Sequence, residues 1–283
     1  MIHVATVHWH NERWIDIQLA YLARHAGEPY RVYAFLNGID PSYDERFYYS
    51  SHEPIAEHAV KLNLLADIVA AGADEDDLLL FLDGDAFPIS DVSAYARPLL
   101  ATYPLLAVQR LENNGDVQPH PCFCVTTVGF WKRLGGDWKE GHTWTNRAGD
   151  TVTDVGGNLL GALDADGIAW HPILRSNAVD LHELWYGVYD GVVYHHGAGF
   201  RVPISRLDTH RTEGADSPVQ RVLRRLGALV PFRPRALQAV ADAVRRPQRR
   251  RLEAQVNRTL AQSEEVLAQI EADPDFHTRF TST

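Results

Sequence analysis

The sequence of 283 residues contains very little cysteine, which argues against a protein held together by disulfides. Its two cysteines, Cys122 and Cys124, stand two positions apart in a predicted strand at 121–128, where side chains on one face do not normally form a disulfide. We therefore expect core thiols in a reducing compartment and no disulfide framework. A zinc site would need further close ligands, for which His120 is the only nearby candidate.

Long apolar runs and phosphate-binding glycine motifs are also absent. No apolar run reaches the roughly 20 residues that cross a bilayer, and the residues after Met1 turn polar too early for a signal peptide. We therefore expect the main part of the chain to be cytoplasmic. No glycine-rich dinucleotide motif or P-loop follows the first predicted strand, so a nucleotide would have to be held in another way.

The most informative segment that is present is an apolar run, 78–82, that leads directly into Asp83-Gly84-Asp85. Charged residues precede the run, and glycine and proline follow it, which is typical of a buried central strand. Ligands of open α/β sheets bind at the carboxyl ends of such strands. Two carboxylates at alternate positions can coordinate a divalent cation, which can in turn hold a diphosphate. The alternative is that Asp-Gly-Asp only forms a solvated turn.

A second short apolar strand, within 192–201, ends in His195 and His196, followed by a glycine-rich bend and Arg201. Together with the D-x-D segment, it resembles the metal-dependent, nucleotide-sugar glycosyltransferases of the GT-A fold. The resemblance extends to the galactosyltransferase and glycogenin group, whose H-x-x-G is matched by His196 and Gly199. The lysine that follows in that group is missing here, and Arg201 could take its role at the phosphate.

The resemblance implies a metal site and assigns its ligands. Asp83 and Asp85 would bind Mn²⁺ or Mg²⁺ with His196 as the third ligand, and Asp83 would also lie at the donor diphosphate. A mixed oxygen and nitrogen shell suits Mn²⁺ better than Ca²⁺. The alternative for His195 and His196 is that they are buried histidines with ordinary hydrogen bonds.

A third match to the same group lies at 151–160. In that group a D-Q-D-x-L-N type segment directs an acid at the donor sugar or at the acceptor hydroxyl. Asp154 is the matching acid and Asn158 the matching amide, so the resemblance implies a catalytic role for both. The alternative is an ordinary helix N-cap formed by threonine or aspartate before a run of small residues.

The resemblance also indicates which residues lie near the nucleotide. The loop after the first strand would place Thr6, Val7 and His8 there. Lys61, one of only three lysines in the chain, and Asn63 are further candidates on the helix before D-x-D. The alternative for Lys61 is a solvated helix residue.

The order of predicted elements defines the fold class. Strands and helices alternate over 3–7, 11–25, 29–36, 54–71 and 78–82. This alternation predicts an α/β fold with a mostly parallel central sheet and right-handed crossovers, which the resemblance extends to a Rossmann-like GT-A domain. We expect that catalytic domain at 1–210 and a basic, mainly helical appendage at 211–283.

The appendage is strongly basic although the chain is acidic. Residues 211–251 contain eleven arginines against three acids, a balance of +8, whereas the whole chain carries −10, which leaves −18 for the rest. Interleaved apolar residues favour a helix that lies on an anionic membrane surface. Nucleic acid is disfavoured because the acidic body would repel phosphate. The alternative is that these arginines pair with the acidic body.

The resemblance, together with these features, implies a hexosyltransferase-like enzyme that moves a sugar from a nucleotide diphosphate, most readily a UDP-sugar, to a hydroxyl of a saccharide or lipid-linked acceptor. It would be cytoplasmic, with peripheral attachment at the inner face of the membrane, and a homo-oligomer stays open. Two alternatives are a metal-dependent phosphohydrolase of the haloacid dehalogenase type and a non-catalytic nucleotide-sugar-binding or scaffold protein. Hydrolysis of a nucleotide sugar without acceptor would separate the binding protein from a transferase.

Overall fold

The computed structural model describes residues 1–182, 184–197, 257–258 and 261–282. It divides into two compact units, Met1–Phe200 with Pro274–Thr283, and Arg201–Asp273. In the second unit the described residues 257–258 and 261–272 are helical. The predictions for Arg201 and for the arginine-rich segment 211–251 lie outside the described residues. Within the described ranges, no helix is both long enough and apolar enough to cross a bilayer.

The first unit begins with the predicted alternation of strands and helices and continues with shorter strands. The strands are β1 (Ile2–Trp9), β2 (Tyr30–Asn37), β3 (Tyr49–Ser51), β4 (Leu78–Asp83), β5 (Ala86–Pro88), β6 (Leu105–Val108), β7 (His120–Thr127), β8 (Trp144–Thr145), β9 (Thr151–Val152), β10 (His171–Ile173), β11 (Gly187–Tyr189) and β12 (Val193–His195). The helices are α1 (Arg13–His25), α2 (His58–Ala70), α3 (Val92–Leu100), α4 (Val128–Leu134) and α5 (Gly157–Ala165), with a 3-10 helix at Pro41–Arg46 and a helical turn at Thr278–Thr281.

Seven strands form the central sheet in the order β10-β6-β7-β4-β1-β2-β3. Neighbouring strands pair in parallel, except that β7 runs antiparallel to both β4 and β6. The prediction of an α/β fold with a mostly parallel central sheet is therefore confirmed. Because β1 and β4 pair from Ile2↔Leu78 to Val7↔Asp83, Asp83 lies at the carboxyl edge of this sheet.

Strand β4 is apolar along its length because helices cover both faces of the sheet. Leu78, Leu80 and Leu82 pack in one buried cluster with side chains of α1 and α3. Leu79 and Phe81 pack in a second buried cluster with side chains of α2, α4 and α5. Full burial of each such side chain contributes about 1.5–3 kcal/mol. The run therefore anchors the two carboxylates that follow it in a rigid strand.

A second sheet of three antiparallel strands, in the order β11-β12-β5, lies directly after the D-x-D segment. Strand β5 begins immediately after Asp85, and its Ala86 pairs with His195 of β12. Next to His195, the Tyr194 ring packs against Phe276, with ring centroids 4.8 Å apart. The pairing of β12 with β5 brings His195 to the carboxylates, although a long stretch of chain separates them.

The two cysteines are buried and free, as expected, but they do not lie on one face. Cys122 packs in the first core cluster and Cys124 in the second. The register of β6 against β7 shifts where Ala107 pairs with Cys124 and Val108 pairs with His120. Such a β-bulge interrupts the alternation of side chains, and the expectation of a shared face depended on that alternation.

Candidate metal centre

Asp83, Asp85 and His195 converge at the carboxyl edge of the central sheet. Asp83 ends β4, Asp85 stands between β4 and β5, and His195 ends β12. The His195 Nε2 atom lies 3.4 Å from Asp85 Oδ1 and 3.6 Å from Asp83 Oδ2. One ligand atom from each of the three residues lies within 4.8 Å of the others. The sequence prediction that both carboxylates share one site is therefore consistent with their geometry.

The chemistry of these three groups fits a divalent metal. Two carboxylate oxygens and one imidazole nitrogen form the mixed donor set that Mn²⁺ accepts. The Asp83 Oδ1 atom is buried, and the His58 imidazole, at 3.1 Å, is the polar group beside it among the described residues, so this oxygen has the capacity to bind an ion. Burial alone would raise the pKa of Asp83, but His58, His120 and His195 lower it well below its usual range. Burial would lower the pKa of His195, but Cys122 and Asp85 raise it above its usual range, so the carboxylates already favour positive charge here.

Backbone and amide contacts hold the D-x-D turn in shape. The Gln18 side-chain amide donates to the backbone carbonyls of Asp83, at 2.9 Å, and of Ala86, at 2.8 Å. The backbone N–H of Gly197 donates to Asp85 Oδ2 at 3.0 Å, which leaves Oδ1 towards His195. Gly197 has a φ of 80°, a conformation that glycine adopts at little cost.

The structure brings His195, and not His196, to the two carboxylates. The His196 ring is 1% exposed, and its Nδ1 lies 3.0 Å from the Tyr194 hydroxyl. It packs 4.8 Å from the Trp14 ring, measured between centroids, and burial lowers its pKa to about 4. Neighbouring residues of a strand point to opposite sides. His195 therefore faces the carboxylates, and His196, the ligand that the H-x-x-G match assigns, lies one position further along the chain.

The predicted nucleotide residues of β1 differ in their surroundings. Thr6 is fully buried and its Oγ1 makes no hydrogen bond with a described residue, while Val7 packs in the second core cluster. His8 is also buried, and burial lowers its pKa to about 4, although Gln18 and Asp85 oppose that shift. Of the three, His8 is therefore the residue with an electrostatic link to the metal centre.

Lys61 is not the solvated helix residue of the alternative reading, because it is only 2% exposed. Its ammonium donates to Asn37 Oδ1 at 2.7 Å and lies 4.6 Å from the centroid of the Trp9 ring. Burial lowers its pKa to about 8. Asn37 ends β2 and Trp9 ends β1, so Lys61 lies at the same carboxyl edge as the D-x-D segment.

Asp154 and Asn158 lie at the start of α5, but neither acts as its cap. The N-cap is Gly156, at a φ of 91°, so the helix-cap alternative for Asp154 is wrong. Asp154 is half-buried and its Oδ1 accepts from the backbone N–H of Val155 at 2.8 Å. Asn158 donates to Asp137 Oδ2 at 2.7 Å. Among the described residues no hydrogen bond or ion pair joins Asn158 to the metal centre, whereas its bond to Asp137 fixes a loop.

Three further polar residues surround the centre, and none was assigned to it from the sequence, where His120 was considered only as a ligand of a zinc site with the two cysteines. His58, the first residue of α2, places Nε2 3.1 Å from Asp83 Oδ1. His120, the first residue of β7, has its ring centroid 6.1 Å from that of His195. Arg110 places Nη1 3.1 Å from His120 Nε2. A polar residue at a strand or helix end is the only sequence signal they carry.

No family model matches the chain, and no curated protein matches it. Among solved structures, S. aureus TarS has a TM-score of 0.37 and 13% identity, covering 49% of this chain and 30% of TarS. The glycosyltransferase GlyE from Streptococcus pneumoniae TIGR4 has a TM-score of 0.36 and 15% identity, covering 47% of this chain and 36% of GlyE.

The mannosyltransferase PcManGT from Pyrobaculum calidifontis, in complex with GDP-Man and Mn2+, has a TM-score of 0.43 and 14% identity, covering 99% of this chain and 86% of that one. In the two matches given before, the chain spans only about a third of the length of TarS and of GlyE. Likeness of this size establishes neither fold nor function, and both rest on the residues described above.

Proposed function

We propose that the chain is a metal-dependent glycosyltransferase of the GT-A type, which moves a hexose from a UDP-sugar to an acceptor hydroxyl. The observation that carries this proposal is the group formed by Asp83, Asp85 and His195 at the carboxyl edge of a mostly parallel sheet. Ligands bind at this edge in open α/β folds. Since the sequence has no P-loop, a cation held by carboxylates is the device that remains for binding a diphosphate.

Each residue of the centre has a definite task in this reaction. A bound Mn²⁺ or Mg²⁺ would offset the charge that develops on the leaving diphosphate. Asp83 and Asp85 supply the negative charge that holds the cation, and His195 supplies a nitrogen donor. His58 orients Asp83, because its Nε2 atom lies 3.1 Å from Asp83 Oδ1. Gly197 fixes the second carboxylate oxygen of Asp85.

The nucleotide would lie along the carboxyl ends of β1 and β2. There Lys61 is a buried cation with no carboxylate within 4.0 Å of its ammonium among the residues described, and Trp9 is 38% exposed beside it. Such an arrangement suits an anionic ligand with a flat ring. His8 and Lys61 are the better supported nucleotide contacts, because His8 has an electrostatic link to Asp85 and Lys61 places its ammonium beside the Trp9 ring.

The remaining assignments rest on the resemblance. Asp154 would accept the proton of the acceptor hydroxyl, and Asn158 would hold the Asp154 loop through Asp137. Arg201 would contact the diphosphate. We retain the division into a catalytic domain at 1–210 and a basic appendage at 211–283, with the appendage docking a cytoplasmic enzyme on anionic lipid.

The test is calorimetric titration of UDP with and without Mn²⁺. The wild type should bind UDP only with the metal, and Asp85→Asn should abolish this binding without unfolding the chain. Asp164→Asn is the matched control, because it makes the same change at a carboxylate that is 61% exposed and lies outside the metal centre. A ligand at a hundred times its dissociation constant adds about 2.7 kcal/mol of stability, so thermal shifts with UDP-, GDP-, CMP- and dTDP-sugars identify the base.

Three outcomes would contradict or redirect the assignment. If no nucleotide or nucleotide sugar binds with Mn²⁺ or Mg²⁺, the transferase proposal fails. Binding without any hydrolysis of the nucleotide sugar or transfer from it would indicate the non-catalytic binding protein, and phosphate release from a phosphomonoester would indicate the phosphohydrolase.

A further inference from the structure

A second polar cluster lies beside the metal centre, just past the end of β6. It consists of Arg110, Asp116 and Gln118, which we call the Arg110 cluster. The Nη1 atom of Arg110 lies 3.1 Å from His120 Nε2, and the His120 ring lies 6.1 Å from that of His195. The Arg110 cluster is thus connected to the metal centre through one histidine.

Three buried side-chain atoms of the Arg110 cluster have no hydrogen-bond partner among the residues that the structure describes. They are Nε of Arg110 and both amide atoms of Gln118, a residue that is 1% exposed. An unpaired buried polar atom destabilises the folded chain, so such atoms in a native protein require a reason, and a ligand is one. Gln118 lies close enough to Asp116 to lower the pKa of that carboxyl, but it forms no bond of acceptable geometry with a described residue.

The charges of the Arg110 cluster select the chemistry of such a ligand. Arg110 is a cation, Asp116 is a carboxylate that is 6% exposed, and Gln118 is a neutral amide. An anion would face Asp116, and a cation would face Arg110. A neutral polyhydroxyl ligand satisfies all three, because each hydroxyl can both donate and accept.

The position of the Arg110 cluster relates it to the proposed reaction. Burial raises the pKa of the Asp116 carboxyl, and Asp154 lies close enough to raise it further. On the other side, Arg110 reaches His120 and through it His195. The cluster therefore connects the proposed catalytic carboxylate with the metal centre. The reacting sugar must occupy the same interval, since the bond that breaks joins it to the diphosphate at the metal.

We infer that Arg110, Asp116 and Gln118 bind hydroxyl groups of a sugar and so determine which sugar the enzyme accepts. This inference rests on the proposed function. Arg110 donates through Nε, Asp116 accepts, and Gln118 does both. The sugar of the donor and the sugar of the acceptor offer the same chemistry, and the experiment distinguishes them.

The experiment compares Gln118→Met with Gln109→Met. Gln109 is the matched control because its amide is already bonded to the backbone carbonyl of Val117 at 2.9 Å. Gln118→Met should keep its thermal stability or gain some, because it removes two unpaired buried atoms, yet lose about tenfold or more in sugar recognition. Gln109→Met should lose stability and keep sugar recognition. Asp116→Asn is the second variant if Gln118→Met does not fold.

Two measurements separate the sources of the sugar. In the donor arm, the affinities for UDP-glucose, UDP-galactose and UDP are measured with Mn²⁺, and each UDP-sugar affinity is divided by the UDP affinity. A tenfold fall of this ratio in Gln118→Met assigns the cluster to the donor. In the acceptor arm, a tenfold rise in KM for methyl glycosides at unchanged donor ratio assigns it to the acceptor. If neither quantity changes, the inference is overturned and the unpaired atoms are assigned to buried water.

Failure of the proposed function would be recognised separately, because the wild type would then bind no UDP with Mn²⁺. In that case saturation-transfer NMR with free glucose, galactose and mannose decides. Binding by the wild type that is lost in Gln118→Met supports a sugar site, whereas no binding by the wild type overturns it.

Discussion

The two adjacent histidines at the end of β12 provide the sharpest prediction. The resemblance assigns the metal to His196, whereas the geometry assigns it to His195. We consider His195→Gln and His196→Gln, which make the same chemical change at neighbouring positions. His195 faces both carboxylates, at 3.4 and 3.6 Å, whereas His196 packs against Trp14 and Tyr186. We expect the first variant to lose metal binding and the second to lose stability.

The magnitudes follow from these contacts. Mutation of residues that merely support a metal ligand typically lowers metal affinity 10- to 100-fold. A direct ligand should cost at least as much, which is about 1.4–2.7 kcal/mol of binding free energy. His196→Gln removes three aromatic contacts, of which the two closest, to Trp14 and Tyr186, have centroid distances of 4.8 and 5.1 Å and dominate the loss. Each such pair contributes about 0.5–1.5 kcal/mol beyond its buried area, so the free energy of unfolding should fall by about 1–3 kcal/mol.

The assay is titration of Mn²⁺ with UDP by calorimetry on both variants and the wild type, beside urea unfolding of each. Mn²⁺ affinity should fall in His195→Gln and change less than about threefold in His196→Gln, while the order for stability is reversed. If His196→Gln remains folded and loses more Mn²⁺ affinity than His195→Gln, the ligand assignment is wrong and the H-x-x-G match is right.

Three further predictions concern catalysis, pH and the basic appendage. Asp154→Asn should lower turnover about 100-fold, the usual scale for a general base, with little change in donor affinity, and turnover near that of Asp164→Asn would remove Asp154 from the reaction. Because burial lowers the pKa of Lys61 to about 8, from 10.5, the folded chain binds fewer protons than the unfolded chain between these pH values. Stability relative to Lys61→Met should therefore rise with pH across this window, and parallel urea midpoints would contradict the burial of a charged lysine. Full-length protein should sediment with anionic liposomes at low salt and be released as salt rises, because each basic residue near the surface contributes about 1 kcal/mol; no sedimentation at low salt would indicate that 211–251 pairs with protein.

Local sequence patterns predict the first half of the fold well. The apolar run before Asp83 predicts β4 because both faces of a central parallel strand are buried, so no polar residue interrupts it. The predicted helix at 54–71 begins later in the structure, at His58. Residues 54–57 instead have no regular secondary structure, and Glu57, the N-cap, is extended. A boundary of this kind depends on packing that a single sequence does not display.

Other parts of the centre depend on contacts between distant segments, which local patterns do not reveal. His120 lies near the D-x-D segment only because β7 runs antiparallel to β4, and the sequence of β7 does not show its direction. Lys61 has the spacing of a surface helix residue, yet it reaches the ends of β1 and β2. The choice between His195 and His196 is a difference of one position in a three-residue strand, where the spacing of a motif is a weaker guide than the pairing of β12 with β5.

The hydrogen bond from Gly197 to Asp85 joins positions that are 112 residues apart. Contacts of such long range form late, because the chain between them loses freedom before they can be made. The ion site therefore exists only in molecules in which β12 has already docked on β5, and Mn²⁺ becomes a reporter of that docking. Denaturation followed at increasing Mn²⁺ concentration would measure how far the docking of β12 is coupled to the unfolding of the whole first unit.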